Sequence, residues 1–132
     1  MDTISKNKIK SFTDLDTWKE GHKLVLLIYK ITKEFPKDEI FGLTSQMKRA
    51  AVSITSNIAE GFGRQSYKEK VRFYLISRGS LIESQNQLLI AKDVKYINEE
   101  IFNKTASQTI VVHKLLNGLI KSSKNIIQNP KF

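Results

Sequence analysis

The sequence predicts an all-α protein, an antiparallel up-down-up-down four-helix bundle. Three observations carry that expectation. Apolar residues recur at three- and four-residue steps along most of the chain, the period of a helix with one buried face. Pro36, the Gly61–Gly63 pair and Asn98 divide the chain into four long segments joined by short connections, which favours antiparallel neighbours. No segment shows the two-residue alternation of a half-buried strand. The chain has 132 residues, 40% of them hydrophobic and 27% charged, enough for one domain with a real core. The bundle is expected over residues 13–127, behind a flexible basic arm at 1–12 and before a frayed tail at 128–132.

The first helix is predicted over about 14–35. Thr13 with Asp16 resembles a capping box at its start, and Pro36 pushes Phe35 out of helical geometry at its end. Trp18, His22, Val25, Tyr29 and Thr32 share one face; Leu24, Leu27, Ile28, Ile31 and Phe35 share another. Together they form an apolar surface wider than a two-layer contact requires. Trp18, Leu26 and Tyr29 are therefore candidates for an interface between copies. Lys19, Lys23 and Lys30 mark a basic stripe on a third face.

The second helix is predicted over about 43–61, because Gly42 disfavours an earlier start. Leu43, Met47, Ala50, Ile54 and Ile58 form its core face. Gly61 and Gly63 are expected to supply the left-handed conformations that end it. Ser66 and Glu69 form an S-x-x-E capping box for the third helix, about 66–93. Its predicted core stripe is Val71, Tyr74, Leu75, Leu81, Ile82, Leu88 and Leu89. Asn98 caps the fourth helix, about 98–126, with Glu99 and Glu100 suiting the positive end of the dipole. Ile101, Thr105, Gln108, Val112, Leu115, Leu119 and Ile126 suggest a seven-residue core repeat there.

Composition excludes several function classes. There is no cysteine, so disulfides, thiolate catalysis and cysteine-based zinc sites are ruled out. The longest apolar run, Leu24–Tyr29, is far short of the ~20 residues of a membrane span. No apolar block follows the N-terminal lysines, so no signal peptide is expected, and the protein is expected to be cytoplasmic. His22 and His113 lie on different helices without carboxylates at ligand spacing, and no Glu-x-x-His pair of a di-iron bundle occurs. Gly61–Phe62–Gly63–Arg64 lacks the lysine and hydroxyl of a P-loop and has no strand before it. No serine sits in an elbow motif. The chain reads as a non-enzyme without a cofactor.

Two features remain. Lys+Arg number 22 against 13 Asp+Glu, a net charge of +9, which attracts polyanions such as nucleic acid and equally serves solubility. Lys48, Arg49, Arg64, Lys68 and Arg72 are expected in or near the turn between the second and third helices, where arginines beside a helix N-terminus can hold phosphate. With Lys19, Lys23 and Lys30 they are the nucleic-acid-binding candidates. A solvated helix end is the competing reading. The second feature is a set of inward-tending polar residues, Asn57, Glu60, Arg78 and Glu83, with Arg49 beside them. A charge near a core must be paired, so Arg78 is expected to pair with a carboxylate of the second helix, Glu60 first or else one further along the turn, and to fix helix register.

Several motifs resemble those of a known family. They are Phe12–Thr13–Asp14–Leu15, Trp18 and Phe35–Pro36, then Gly42 through Ala51. Ser56–Asn57–Ile58–Ala59–Glu60–Gly61 with Gly63–Arg64, and Gly79–Ser80–Leu81 with Glu83, complete the pattern. The chain is similar, over about residues 12–126, to the small bacterial four-helix-bundle proteins encoded in 23S rRNA intervening sequences. Their relatives include the accessory variability protein, Avd, of diversity-generating retroelements. Met47–Lys48–Arg49 stands where the family often has two adjacent arginines, and the fourth helix carries no matching motif. The resemblance implies a homopentameric ring with a basic surface and association with RNA or with a reverse transcriptase. The leading expectation is thus a homo-oligomeric RNA- or nucleoprotein-binding adaptor. The alternative is a structural scaffold that binds a protein partner.

Overall fold

A computed structural model describes residues 8–129; the N-terminal half of the expected arm and the last residues of the expected tail lie outside the described range. Four helices follow one another: α1, Asp16–Thr32; α2, Leu43–Phe62; α3, Tyr67–Asp93; and α4, Glu99–Gln128. Each packs on its neighbours in sequence, and α4 closes the ring against α1, while the diagonal pairs do not meet among the described residues. This is the expected antiparallel bundle, and no strand occurs among the described residues.

The core sits on the shared axis. Leu24 and Ile28 of α1, Met47, Ile54 and Ile58 of α2, Tyr74, Leu81 and Leu88 of α3, and Val112, Leu116 and Ile120 of α4 are all buried. Burying one such side chain contributes about 1.5–3 kcal/mol, so the bundle needs no covalent staple. Two places require a missing Cβ. At Gly21 a Cβ would stand 3.1 Å from Thr55 Cγ2, so α1 and α2 approach closely there. At Gly61 it would stand 2.7 Å from the ring of Tyr74, which is itself buried.

The helix ends differ from expectation in instructive ways. Ser11 and Asp14 form the capping box, on a 3-10 turn over Phe12–Asp14, and α1 then starts behind Leu15 with no side-chain cap. α1 ends at Thr32 rather than Phe35. Phe35 still reaches the core and packs on Tyr96, ring centroids 5.1 Å apart. Gly61 lies inside α2, which runs on to Phe62, and Gly63 keeps right-handed geometry. No glycine among the described residues has positive φ. The left-handed position falls instead on Lys95, φ 66°, after α3. There Tyr96 N–H donates to Ala91 O at 2.9 Å and Lys95 N–H to Lys92 O at 3.0 Å, the paired bonds of a Schellman motif. Ser66 accepts from Glu69 N–H, and Asn98 from Ile101 N–H, as expected.

The predicted stripes of α3 and α4 overlap the real core in part: Val71, Tyr74, Leu81 and Leu88, and Thr105 and Val112, are buried as expected. In α3 the core positions between Tyr74, Leu81 and Leu88 are filled by Ser77, Ser80, Ser84 and Gln87, while Leu75, Ile82 and Leu89 lie outside. In α4 the buried line is Thr105, Thr109, Val112, Leu116, Ile120 and Ser123; Ile101 and Ile126 are exposed. Two of these serines have hydroxyl partners: Ser77 Oγ donates to Ile54 O at 2.8 Å, and Ser53 and Ser80 share a bond of 2.8 Å, whereas Ser84 Oγ is buried without a protein partner.

Candidate nucleic-acid interface

The up-down topology sorts the charges. One end of the bundle gathers the start of α1, the end of α2, the start of α3 and the end of α4. It carries Lys19, Lys23, Arg64, Lys68, Lys70, Arg72, Lys121 and Lys124, with Arg78 and Lys114 nearer mid-helix, against Asp14, Asp16, Glu20, Glu60 and Glu69. At the opposite end lysines alternate with Glu34, Asp38, Glu39, Glu83, Asp93, Glu99 and Glu100. The excess of positive charge is therefore concentrated at one end.

The α2–α3 turn is built tightly. Lys70 Nζ donates to Phe62 O at 2.6 Å, which satisfies a free carbonyl at the C-terminus of α2. Burial holds the Lys70 ammonium below the usual lysine range. Arg64 lies over the Phe73 ring, 4.6 Å from its centroid, and pairs with Glu60 at 3.0 Å and Glu69 at 3.9 Å. Its Nε is buried without a protein partner. Lys68 and Arg72 are exposed and make no ion pair among the described residues. Tyr74 behind the turn is buried, which pushes its hydroxyl up to about 12 and keeps it neutral.

Lys48 and Arg49 are not part of this turn. They stand at the start of α2, 15 residues or more from Arg64, which along a helix is roughly 20 Å. Lys48 lies over the Tyr29 ring at 5.0 Å. Arg49 donates to Gln46 and forms a short ion pair with Glu83 of α3. The expected five-residue cluster thus splits, and only Arg64, Lys68 and Arg72 remain together. On α1, Lys19, Lys23 and Lys30 are exposed as expected, but Lys23 pairs with Glu20 at 2.8 Å.

The expected polar network also divides. Glu83 holds Arg49 and accepts from Gln87 Nε2 at 3.3 Å. Asn57 Nδ2 donates to Ser53 O at 2.8 Å and to Ser53 Oγ at 3.1 Å. These bonds, with Ser53–Ser80, form a polar seam along the outer α2–α3 contact. Glu60 lies at the far end of that seam with Arg64. Arg78 does not pair with Glu60. Its Nη1 donates to Asn117 Oδ1 of α4 at 3.0 Å, because Arg78 stands on the α4 side of α3 and Glu60 on the other helix neighbour.

The interface candidates separate too. Trp18 stacks on His22 at 4.7 Å and meets Phe12 edge-on at 5.4 Å, so much of its surface is already used. Leu26 and Tyr29 are exposed. Sequence reasoning missed Arg78, Lys121 and Lys124 as a group. The available signal was that α4 carries no acidic residue after Glu100.

Among the described residues there is no group of three acidic, histidine or cysteine side chains able to hold a metal. No helix of the described residues is long and apolar enough to cross a membrane.

Fold and surface together define a four-helix bundle with one strongly basic end. Residues 13–118 match the 23S rRNA-intervening sequence protein family, and the chain belongs to it. A similar solved structure is that of a protein of unknown function from the S23 ribosomal protein family of Bacteroides thetaiotaomicron VPI-5482. It is 22% identical, with a TM-score of 0.74 over 80% of this chain and 95% of that one. That likeness bears on the fold. No curated relative matches the chain.

Proposed function

We propose that this protein is a non-enzymatic, homo-oligomeric adaptor that binds RNA. The observation that carries the reading is the excess of lysine and arginine over carboxylates at one end, while the other end comes close to balancing its charge. A polyanion draws its affinity from such a surface, because each neutralised phosphate releases condensed counterions. Contacts of that kind position RNA without reading its sequence. The resemblance supports a ring of identical chains, a pentamer in the kin with Avd, with RNA or a reverse transcriptase ribonucleoprotein as partner. Exposed apolar side chains outside the core support self-association.

The test is binding of the purified protein to a structured 23S rRNA fragment and to duplex DNA across a salt series, with native mass followed in the same samples. Affinity should fall steeply as salt rises while the oligomer stays intact. An absence of binding at low salt would remove the RNA reading and leave the scaffold, whose partner is a protein.

A further inference from the structure

We propose that the seam between α3 and α4 at the basic end, centred on Arg78, Lys121 and Lys124, is a groove for the phosphate backbone of RNA. This rests on the RNA reading above and assigns it a place that the turn between α2 and α3 does not provide. The groove is open, about 370 Å³, and Arg78, Asn117, Lys121, Lys124, Asn125 and Gln128 line it. No carboxylate is among its lining residues.

Three features separate this groove from an ordinary solvated helix face. Arg78 crosses the seam and is fixed by a neutral amide, Asn117, so its charge is held in place without being cancelled. A guanidinium has five donors in a rigid fork, which suits two oxygens of one phosphate. Secondly, Lys121 and Lys124 have no acidic residue three or four positions away on α4, so they are not members of helix-surface ion pairs. Thirdly, the last turn of α4 contains no basic residue, so these lysines are not placed to compensate its dipole. Lys114, seven residues before Lys121 on the same side of α4, extends the positive track. Asn125 and Gln128 add neutral donors and acceptors that can meet sugar hydroxyls. At the turn, by contrast, Arg64 is already paired with two glutamates.

The experiment uses the full chain and a labelled structured 23S rRNA fragment. Lys121→Gln/Lys124→Gln is compared with Lys37→Gln/Lys95→Gln, which removes the same charge at the opposite end, and with Lys68→Gln/Arg72→Gln at the turn. Helicity and native mass are checked for each. The groove variant should bind at least about tenfold more weakly at low salt, and its log-affinity against log-salt slope should fall by about two. The opposite-end variant should stay within about twofold of wild type. Arg78→Gln should weaken binding in the same direction. Equal losses in the groove and opposite-end variants would overturn the groove, since net charge alone would then explain binding. Wild-type affinity in the groove variant, with loss confined to the turn variant, would overturn the groove and leave the RNA reading standing. No binding by the wild type would overturn both.

Discussion

One methyl group separates Gly61 from alanine, and the fold has no room for it. The added Cβ would lie 2.7 Å from the Tyr74 ring and 3.0 Å from Phe73 Cβ. Tyr74 is wedged in the core and cannot swing away, so α2 and α3 must part. Gly61→Ala should cost about 1–3 kcal/mol, the usual penalty for overpacking, read as an earlier urea midpoint. Lys95 is the opposite case. It holds a left-handed conformation, φ 66°, at which a Cβ costs about 1–2 kcal/mol. Lys95→Gly should therefore raise stability by up to about 1 kcal/mol, measured in the same denaturation series. The sequence marks Gly61 as special but misleads about the reason. The motif of a helix-ending glycine is local, whereas the ring that excludes a side chain belongs to another helix. Lys95 carries no local signal at all, because glycine or asparagine would have been expected there.

At the scale of an element, the start of α2 is tied to pH through one carboxyl. Gly42 offers no side chain to cap the helix. Glu39 does so from a 3-10 turn over Lys37–Glu39: Leu43 N–H donates to its Oε1 at 3.0 Å, and the Tyr96 hydroxyl donates to its Oε2 at 2.7 Å. The Leu43 amide first, and then the Tyr96 hydroxyl, hold this carboxyl below the ordinary glutamate range. A carboxyl whose value is lower folded than unfolded adds stability above its unfolded value, about 4.3, and loses it as pH falls through the folded one. Tyr96 is raised, chiefly by its bond to Glu39, so its contribution is present below about pH 10 and lost above that. Glu39→Gln keeps an acceptor for Leu43 but removes the charge. Its melting temperature should lie below wild type at pH 6–7, and the gap should shrink as pH falls below about 4. A constant gap down to pH 3 would show that the charge is not what Glu39 contributes. Other elements show how much periodicity can carry. It predicted the presence and order of all four helices, and their bounds within a few residues. It drew the core face of α3 too wide, because Leu75, Ile82 and Leu89 follow the helical period as well as Tyr74, Leu81 and Leu88 do. Which of two adjacent stripes is buried depends on the serine hydroxyls that find partners on α2, and that is tertiary information.

The whole molecule shows two surfaces along one seam. At the basic end, α3 and α4 frame the groove of Arg78, Lys121 and Lys124. Past Asn117, toward the other end, the same seam turns largely apolar: Leu88, Leu89, Phe102, Ala106 and Ile110, with the hydrogen-bonded pair Gln85 and Thr109 among them, line a shallow cavity of about 310 Å³. Leu89 and Ile110 in this lining are exposed, and Ile82, 51% exposed, lies one helical turn before its Gln85. Leu75, Ile82 and Leu89 are spaced by seven residues, the repeat by which one helix packs along another. Leu26, also exposed at 57%, stands in the lysine stripe of α1, three residues from Lys23 and four from Lys30. A second copy seated there would have to desolvate those lysines, at a cost that a single leucine does not offset. On α3, Arg78 precedes Ile82 by four residues and Lys92 follows Leu89 by three, but between them Leu88, Leu89, Phe102, Ala106 and Ile110 offer a larger apolar surface than a single leucine. Self-association in the proposed ring should therefore depend on the apolar half of the seam more than on the α1 face. Ile82→Glu should bring the native mass down to that of one chain with helicity kept, because a carboxylate at an exposed position disturbs an interface and not the core. Leu26→Glu should leave the assembly as it is. The reverse pattern would place the contact on α1, with Tyr29 beside Leu26. An oligomer that survives both substitutions would move the contact away from α1 and from the apolar half of the α3–α4 seam.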